Sequence, residues 1–396
     1  MFLGLAVILL SGLLFGEICR RIKLPPLIGM LAAGIISGPY CLDLIDVSIL
    51  DISAQLRKIA LIIILLRAGL SLDISGLKKA GRPAVLMCFL PACFEIAGMI
   101  IFAPLLLGVS YAEAAVMGSV VAAVSPAVVV PKMIKLSSEG YGTDKGIPEL
   151  ILAGASVDDV FVIVMFSVFT GFVQTGKVAA ADFLKIPFSI FSGIAAGIII
   201  GFVLGVLFKK IHLRDTAKII IFMGMSFALV SFEDAFGNTL LFCALIGVMC
   251  MGISLQKVRP ETAERMSARF EKLWSAAEIM LFVLVGACVN ISYAASAGIT
   301  AALLLVCVLI FRMTGVFVCL IATKLDLKEK LFCMLAYTPK ATVQAAIGGL
   351  PLAMGLECGE KVLTVAVLSI IITAPVGAFL IDLTYKKFLK KSDVRQ

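Results

Sequence analysis

Long apolar segments recur along the whole chain and constrain its fold more than any other feature of the sequence. A helix needs about 20 apolar residues to cross the hydrocarbon core of a bilayer, with a lower limit of about 17. By this rule the sequence predicts about 13 spanning helices. The predicted spans are residues 2–18, 25–40, 53–74, 84–107, 112–134, 147–173, 186–208, 215–231, 238–255, 274–292, 297–323, 329–350 and 360–384.

The composition indicates the same class. Of the 396 residues, 61% are hydrophobic and only 15% are charged, whereas a soluble domain carries about 25% charged residues. We therefore expect a single all-α transmembrane domain over residues 1–396, surrounded by the lipid bilayer. The 11 cysteines lie almost entirely in apolar segments, which is typical of helix packing rather than of disulfides or a metal site.

The basic residues predict the orientation of the chain. Most of the 34 lysines and arginines lie in short loops on one side, and by the positive-inside rule that side is the cytoplasm. The net charge of +8 is thus a topology signal, and we expect no nucleic-acid partner. We expect a multi-pass protein of the plasma (inner) membrane, with its amino terminus outside and its carboxyl terminus cytoplasmic. The basic clusters begin at Arg20, Lys78, Lys132, Lys209, Lys257, Lys324 and Lys386.

Prolines predict that two of the spans are interrupted. Pro126 lies within VVAAVSPAVVVPKM, and Pro339 lies within FCMLAYTPKATVQAAIGG. Proline removes a backbone hydrogen bond, and in lipid the freed groups must be satisfied by protein or by a wet cavity. The two segments run in opposite directions, as an inverted-topology repeat with a midplane site predicts. Thr373 and Pro375 in the last span leave a second alignment of the repeats open.

Five ionisable residues lie deep in the predicted spans: Glu95, Asp158, Asp159, Arg312 and Lys340. Placing such a residue at the centre of a spanning helix costs about 2.5–3.5 kcal/mol, so these residues are usually paired and functional. Adjacent acids on one helix point about 100° apart. One of the two aspartates can then face a basic residue while the other faces a cavity.

A carboxylate in such a cavity meets the requirement for antiport, because it releases a proton when a cation arrives and regains it when the cation leaves. Hard monovalent cations favour oxygen ligands. The predicted ion-binding residues are Asp159, Asp158, Ser156, Ser125 and Thr342. The two aspartates among them are also the predicted metal ligands. Glu95, Arg312 and Lys340 are the predicted charge partners, with Glu95 and Arg312 favoured as a structural pair.

Five stretches of sequence together resemble the monovalent cation:proton antiporter superfamily, and most closely the bacterial relatives of the sodium–lithium/proton exchangers with an Asp-Asp motif. They are LLRAGLSLD, AVSPAVVVPKM, GASVDDV, TPKATVQAAIG and VLTVAVLSIIITAP. The resemblance implies an inverted-repeat antiporter fold with two interrupted, crossing helices. It also implies an ion-transport bundle of residues 84–173 and 297–384, which moves against a dimerising scaffold of residues 1–74 and 186–292.

In this family the second acid of the pair, here Asp159, carries cation and proton in turn, and the first, Asp158, pairs with a basic residue. Whether that partner is Arg312 or Lys340 is left open by the sequence. Many electrogenic relatives carry lysine on the helix that holds Arg312, so the stoichiometry is open as well. The resemblance implies a homodimeric secondary antiporter that exchanges Na⁺ or Li⁺ for H⁺ by alternating access, serves pH homeostasis and needs no cofactor.

Rival functions must account for the same residues. A sodium-coupled symporter for an organic anion is the main alternative, since related inverted-repeat folds carry anions, but two adjacent acids do not suit an anion. An intramembrane aspartyl protease places its acids on facing helices so that they share a proton, and here they are neighbours on one helix. A passive cation channel would not couple to protons. We therefore expect a transporter and not an enzyme.

Overall fold

The computed structural model describes residues 1–71, 74–175, 180–211, 213–236 and 242–391. Within these ranges, the side chains at 74–80, 156, 160, 175, 180–187, 190 and 292–297 lie outside the description. The described chain is helical, and its only bridge of the β type joins Tyr141 to Lys391. The helices are α1 (Phe2–Arg21), α2 (Pro26–Ser37), α3 (Val47–Asp51), α4 (Ser53–Ser71), α5 (Ile74–Met87), α6 (Leu90–Leu107), α7 (Tyr111–Val121), α8 (Pro126–Ser138), α9 (Ile147–Thr175), α10 (Ala180–Lys210), α11 (Asp215–Phe236), α12 (Ala244–Val258), α13 (Pro260–Ala287), α14 (Ile291–Cys319), α15 (Leu327–Ala336), α16 (Thr342–Ile347), α17 (Leu350–Ala353) and α18 (Gly359–Phe388).

The all-α prediction is confirmed, and each predicted span overlaps one or more of these helices. Among the described residues, 8 helical segments are long and apolar enough to cross a membrane. Three shorter apolar segments accompany them, at Pro26–Ser37, Ala244–Val258 and Thr342–Ala353. The predicted number of 13 crossings stays a prediction.

The helices group into two compact units. The first contains α1–α3, α5–α9, the end of α13 and α14–α18, and the second contains α4, α10–α12 and most of α13. In the first unit α6 packs against α7 and α14, and α15 packs against α18. Both segments of the predicted ion-transport bundle lie in the first unit. The division into a moving bundle and a scaffold is a statement about motion and stays a prediction.

The second unit is built by close approach of helix backbones. Gly193, Gly197 and Gly201 lie four residues apart on α10, and a Cβ added at any of them would overlap a backbone carbonyl oxygen of α12 or of the residue preceding it. Small residues at this spacing let helices pack tightly in lipid, where no hydrophobic force drives association. Gly69 of α4 meets the carbonyl oxygen of Met249 in the same manner. Backbone contact therefore holds this unit together.

The first unit contains both predicted interruptions. Helix α7 ends at Val121 and α8 begins at Pro126, while α15 ends at Ala336 and α16 begins at Thr342. Pro126 takes the first position of α8, where its missing N–H has no helical partner to lose. In contrast, Pro375 lies inside α18, which continues through it. Helix α9 runs without interruption and carries both aspartates.

Both interrupted helices begin with a capping box, in which a side chain and a backbone N–H satisfy each other across the first turn. Ser110 and Glu113 form it at α7, and Asp326 and Glu329 form it at α15. The backbone N–H donated by Glu329 holds the pKa of Asp326 below its usual value. Lys145 donates to the buried Glu329 carboxylate at 2.7 Å. These contacts fix the start of each interrupted helix and hence the depth of its break.

A candidate ion site where two interrupted helices meet

The two breaks lie against each other. The Ser125 backbone N–H donates to the carbonyl of Pro339 at 2.8 Å. The side-chain amide of Gln344, on α16, donates to the carbonyl oxygens of Val121 at 3.0 Å and Ala123 at 2.9 Å. Carbonyls at a helix end have no partner within the helix, so each break satisfies groups that the other leaves free. The crossing is therefore a single hydrogen-bonded junction.

Asp158 is fixed to this junction. Its Oδ2 accepts hydrogen bonds from the Val124 backbone N–H at 2.8 Å and from the Arg312 guanidinium at 2.9 Å. The side chain is fully buried, and Oδ1 has no hydrogen-bond partner among the described residues. Asp158 thus carries a stable ion pair on one oxygen and keeps the other free.

Arg312 connects the acids to both breaks. It donates to Glu95 Oε2 at 2.7 Å, to the Tyr337 carbonyl at 2.6 Å and to the Ala122 carbonyl. The planar guanidinium presents five donors in a rigid fork, which suits it to such a shared site. Its charge also lies over the ring of Tyr337, with 5.2 Å between Cζ and the ring centroid. One side chain therefore binds α6, α9 and the ends of α7 and α15.

Lys340 completes a buried set of four charges. Its Nζ donates to Glu95 Oε2 at 2.6 Å, and its backbone N–H donates to Thr373 Oγ1 at 2.9 Å. Glu95, Asp158, Arg312 and Lys340 are each 0% exposed. Two acids and two bases balance formally, which is the arrangement that buried charges require.

The pairing left open by the sequence is now defined in the structure. Arg312, not Lys340, contacts Asp158, and Lys340 contacts Glu95. The expected contact between Glu95 and Arg312 is also present. Glu95 therefore holds both bases, and Arg312 holds both acids.

Asp159 differs from its neighbour. The residue is half-buried, and its Oδ1 is a buried oxygen without a hydrogen-bond partner among the described residues. Adjacent residues of a helix point about 100° apart, so Asp159 leaves α9 in a different direction from Asp158. In the described part of the chain it forms no ion pair, and it is the acid that the buried cluster leaves uncompensated.

Other buried oxygens lie on the same elements. Ser125 Oγ at the start of α8, and Thr342 Oγ1 and Gln344 Oε1 on α16, have no hydrogen-bond partner in the described structure. Such groups are rare in folded proteins and usually indicate a water or an ion. The side chain of Ser156 lies outside the described residues. The described part of the chain also holds no group of three or more His, Cys, Asp or Glu residues placed to bind a metal ion.

Tyr337 is absent from the predicted site residues, and for Gln344 the sequence leaves two roles open, lining the cavity or capping a broken helix end. Tyr337 precedes the Thr338-Pro339 step, and that position at the break was the only signal in the sequence. Gln344 is polar within an apolar segment, which indicates burial with partners. Neither signal says which groups they contact.

Similarity to known proteins agrees with this geometry. A family model for the transmembrane region of sodium/hydrogen exchangers matches residues 5–387. Sodium/hydrogen exchanger 9B2 of Xenopus tropicalis is 35% identical over 413 residues, covering 99% of this chain and 76% of that protein. Sodium/hydrogen exchanger 9B1 of Homo sapiens is 32% identical over 409 residues, covering 98% of this chain and 78% of that protein.

The fold is also that of a solved antiporter. The sodium proton antiporter MjNhaP1 from Methanocaldococcus jannaschii superposes with a TM-score of 0.85 at 20% identity, over 97% of both chains. The protein therefore has the inverted-repeat antiporter fold that the sequence predicted. It belongs to the sodium/hydrogen exchanger family, and it is a multi-pass membrane protein of an ion-transporting family.

Proposed function

We propose that this protein exchanges Na⁺ or Li⁺ for H⁺ across the membrane by alternating access, with Asp159 binding cation and proton in turn. One observation carries the proposal. Two adjacent carboxylates lie on α9, and of these two Arg312 binds Asp158 alone, whereas Asp159 keeps a buried oxygen free. The site thus has one carboxylate for two mutually exclusive occupants.

The charge balance accounts for coupling. Arg312 and Lys340 offset Glu95 and Asp158, so the charge of a bound cation or proton is balanced by Asp159 alone. A bare carboxylate within the membrane is costly. The empty, ionised carrier is therefore the least stable form, and the site crosses between its two orientations with one occupant or the other.

Further oxygens would complete the cation's coordination. The free oxygens of Ser125 and Thr342, together with Asp158 Oδ1, belong to elements that meet at the junction. Ser156 stays a predicted ligand from its place on α9. The amino-terminal end of α8 adds a partial positive charge that favours the anionic form of the site when the cation leaves.

The finer features of the proposal concern assembly and orientation. We propose a homodimer in the plasma (inner) membrane with an outside amino terminus and a cytoplasmic carboxyl terminus. The asymmetry of basic residues between loops supports this orientation. The resemblance to the antiporter superfamily supports the dimer and the movement of residues 84–173 and 297–384 as one bundle.

A symporter for an organic anion is not favoured by this geometry. An anion would need an uncompensated positive group, and both buried bases are bound by carboxylates, Arg312 by Glu95 and Asp158 and Lys340 by Glu95. The free group at the junction is an acid.

Proteoliposomes with an internal pH dye test the proposal. Adding Na⁺ or Li⁺ outside should alkalinise the interior of vesicles with wild-type protein, because cation entry drives proton exit. Asp159→Asn should reduce this signal to that of empty vesicles. Asp234→Asn removes an exposed acid that pairs with Lys58 and should leave exchange unchanged. Equal exchange by wild type and Asp159→Asn would overturn the proposal.

A further inference from the structure

Tyr337 occupies the point where the second interrupted helix ends. It follows Ala336, the last residue of α15, and its backbone N–H donates to the Cys333 carbonyl at 3.2 Å. The side chain is 0% exposed. A fully buried tyrosine normally uses its ring for packing and its hydroxyl for a hydrogen bond. Here the ring contacts Arg312, which binds Asp158, and the hydroxyl contacts α5 and α9.

The backbone and the ring of Tyr337 both contact Arg312. The carbonyl of Tyr337, freed by the helix end, accepts from Arg312 Nε at 2.6 Å. The guanidinium carbon lies 5.2 Å from the ring centroid, within the range of a cation–π contact. A desolvated contact of this kind restrains the position of the cation as well as stabilising it. Tyr337 therefore contacts Arg312 through both its backbone and its ring.

The hydroxyl of Tyr337 joins the same ring to α9 and α5. It donates to the carbonyl of Met87, the last residue of α5, at 3.3 Å. It also lies against Gly154, where an added Cβ would overlap the hydroxyl oxygen and would come within 2.9 Å of the Met87 Cβ. Gly154 is one helical turn before Asp158 on α9, so the two residues share a face. Tyr337 thus fixes the position of α9 relative to Arg312, one helical turn from the ion pair of Asp158.

We propose that Tyr337 is a positioning residue for cation–proton exchange: it holds the Arg312 guanidinium on Asp158 and so leaves Asp159 as the one carboxylate of the two without an ion pair. This inference rests on the proposed exchange at Asp159. Without the ring, Arg312 loses one of the contacts that hold it, and its guanidinium tilts away from Asp158 more readily. Two carboxylates then face the cation with less opposing charge, so the cation binds more tightly and leaves more slowly.

The apparent KM for Na⁺ distinguishes a positioning role of Tyr337 from a role in stability alone. Tyr337→Leu should lower the apparent KM for Na⁺ by about threefold or more, the size expected for the loss of one cation–π contact, and should lower the maximal rate as well. Tyr337→Phe keeps the ring over Arg312 and should retain a KM close to wild type. A purely structural role would reduce the amount of active transporter and leave KM unchanged.

Tyr385→Leu is the matched control. Tyr385 belongs to the same hydrophobic cluster as Tyr337, but its ring packs edge-on against Tyr141 with 5.0 Å between centroids. This variant should lose yield or maximal rate without a change in KM. A fall in KM equal to that of Tyr337→Leu would assign the effect to general loosening of the bundle and overturn the proposal.

Gly154→Ala provides a second, independent variant. The added methyl group should displace the Tyr337 hydroxyl and lower KM in the same direction as Tyr337→Leu. In the Tyr337→Phe background the same change should have a smaller effect, because the overlapping oxygen is gone while the Met87 contact is common to both backgrounds. Equal effects of Gly154→Ala in the two backgrounds would contradict the contact on which the proposal depends.

Exchange in proteoliposomes and equilibrium binding of radiolabelled sodium in detergent are measured on the same variants. Absence of exchange by the wild type would overturn the proposed function. Binding still decides the positioning role in that case, since Tyr337→Leu should tighten sodium binding by the same factor of about three. Normal exchange by the wild type, with KM and sodium affinity unchanged in Tyr337→Leu, would overturn the positioning role alone.

Discussion

The two interrupted helices meet at one junction, yet their breaks are chemically different. The break at 122–125 contains no ionisable residue, and its backbone groups bind Asp158, Arg312 and Gln344 from other helices. The break at 337–341 carries Lys340 itself, whose ammonium group reaches Glu95. Side chains from other helices bind the backbone of the first break, whereas the second break contributes a charged side chain of its own. Inverted repeats thus share a backbone pattern without sharing chemistry.

The residues around the junction can be ranked by the number and charge of the groups that each one binds. Arg312 binds both breaks and both buried acids, Lys340 binds one acid, and Gln344 and Thr373 bind only backbone groups. The hydroxyl groups of Ser125 and Thr342 bind no described partner. We expect the effects of substitution to fall in that order.

Arg312→Met should have the largest effect. It leaves Glu95 and Asp158 buried with only Lys340 to compensate them, and the removal of one partner from a buried ion pair costs about 3–5 kcal/mol. Exchange should be lost and the melting temperature in detergent should fall strongly. Arg312→Lys keeps the charge without the fork and should recover only part of the stability. A stable, active Arg312→Met protein would show that the first break does not depend on this cation.

Lys340→Met should be the next most damaging change, since it removes one base while Arg312 still binds Glu95. A double variant with Glu95→Gln removes both members of the pair. Removing both members of a buried ion pair costs less stability than removing one of them. The double variant should therefore melt at a higher temperature than Lys340→Met alone. If the two changes instead destabilise additively, the residues are not energetically coupled, and the second break does not supply a paired charge.

Substitutions that remove a side-chain hydrogen-bonding group at each break compare the two breaks directly. Gln344→Leu leaves the Val121 and Ala123 carbonyls of the first break without their donor, and Thr373→Val leaves the Lys340 backbone N–H of the second without its acceptor. An unsatisfied buried group costs about 1–3 kcal/mol. Gln344→Leu should therefore reduce thermal stability more than Thr373→Val does. The reverse order would mean that the first break is satisfied in another way.

Ser125→Ala and Thr342→Val should have the smallest effect on stability. Their hydroxyl oxygens have no partner in the described structure, so their removal breaks no hydrogen bond. Their melting temperatures should match the wild type, while the apparent KM for Na⁺ should rise because a cation ligand is lost. A clear fall in stability with unchanged KM would assign these hydroxyls to packing.

Local features made the architecture predictable. Apolar length predicted where helices lie, and Pro126 and Pro339 predicted the breaks, since proline acts on its own helix whatever surrounds it. The capping boxes at Ser110 and Asp326 were not predicted, although their signature, Ser or Asp followed three residues later by Glu, is equally local. They mark the start of each interrupted helix.

The pairing of the site was not predictable in the same way. Arg312 and Lys340 are both bases at the right depth, and the choice between them for Asp158 depends on the direction in which α14 and the second break present them. In the sequence, Tyr337 is one of several aromatic residues in apolar segments. Only the structure shows that its ring lies over the Arg312 guanidinium. These contacts join residues far apart in the chain, and no local propensity encodes them.

The most direct test of the account is proton release on sodium binding. Purified protein in weakly buffered detergent solution is mixed with Na⁺ at constant ionic strength, and the pH is followed. If Asp159 exchanges one occupant for the other, saturating Na⁺ should release up to about one proton per chain, and Asp159→Asn should release none. Sodium binding by the wild type without proton release, or undiminished release by Asp159→Asn, would contradict the claim that both ions share this carboxylate.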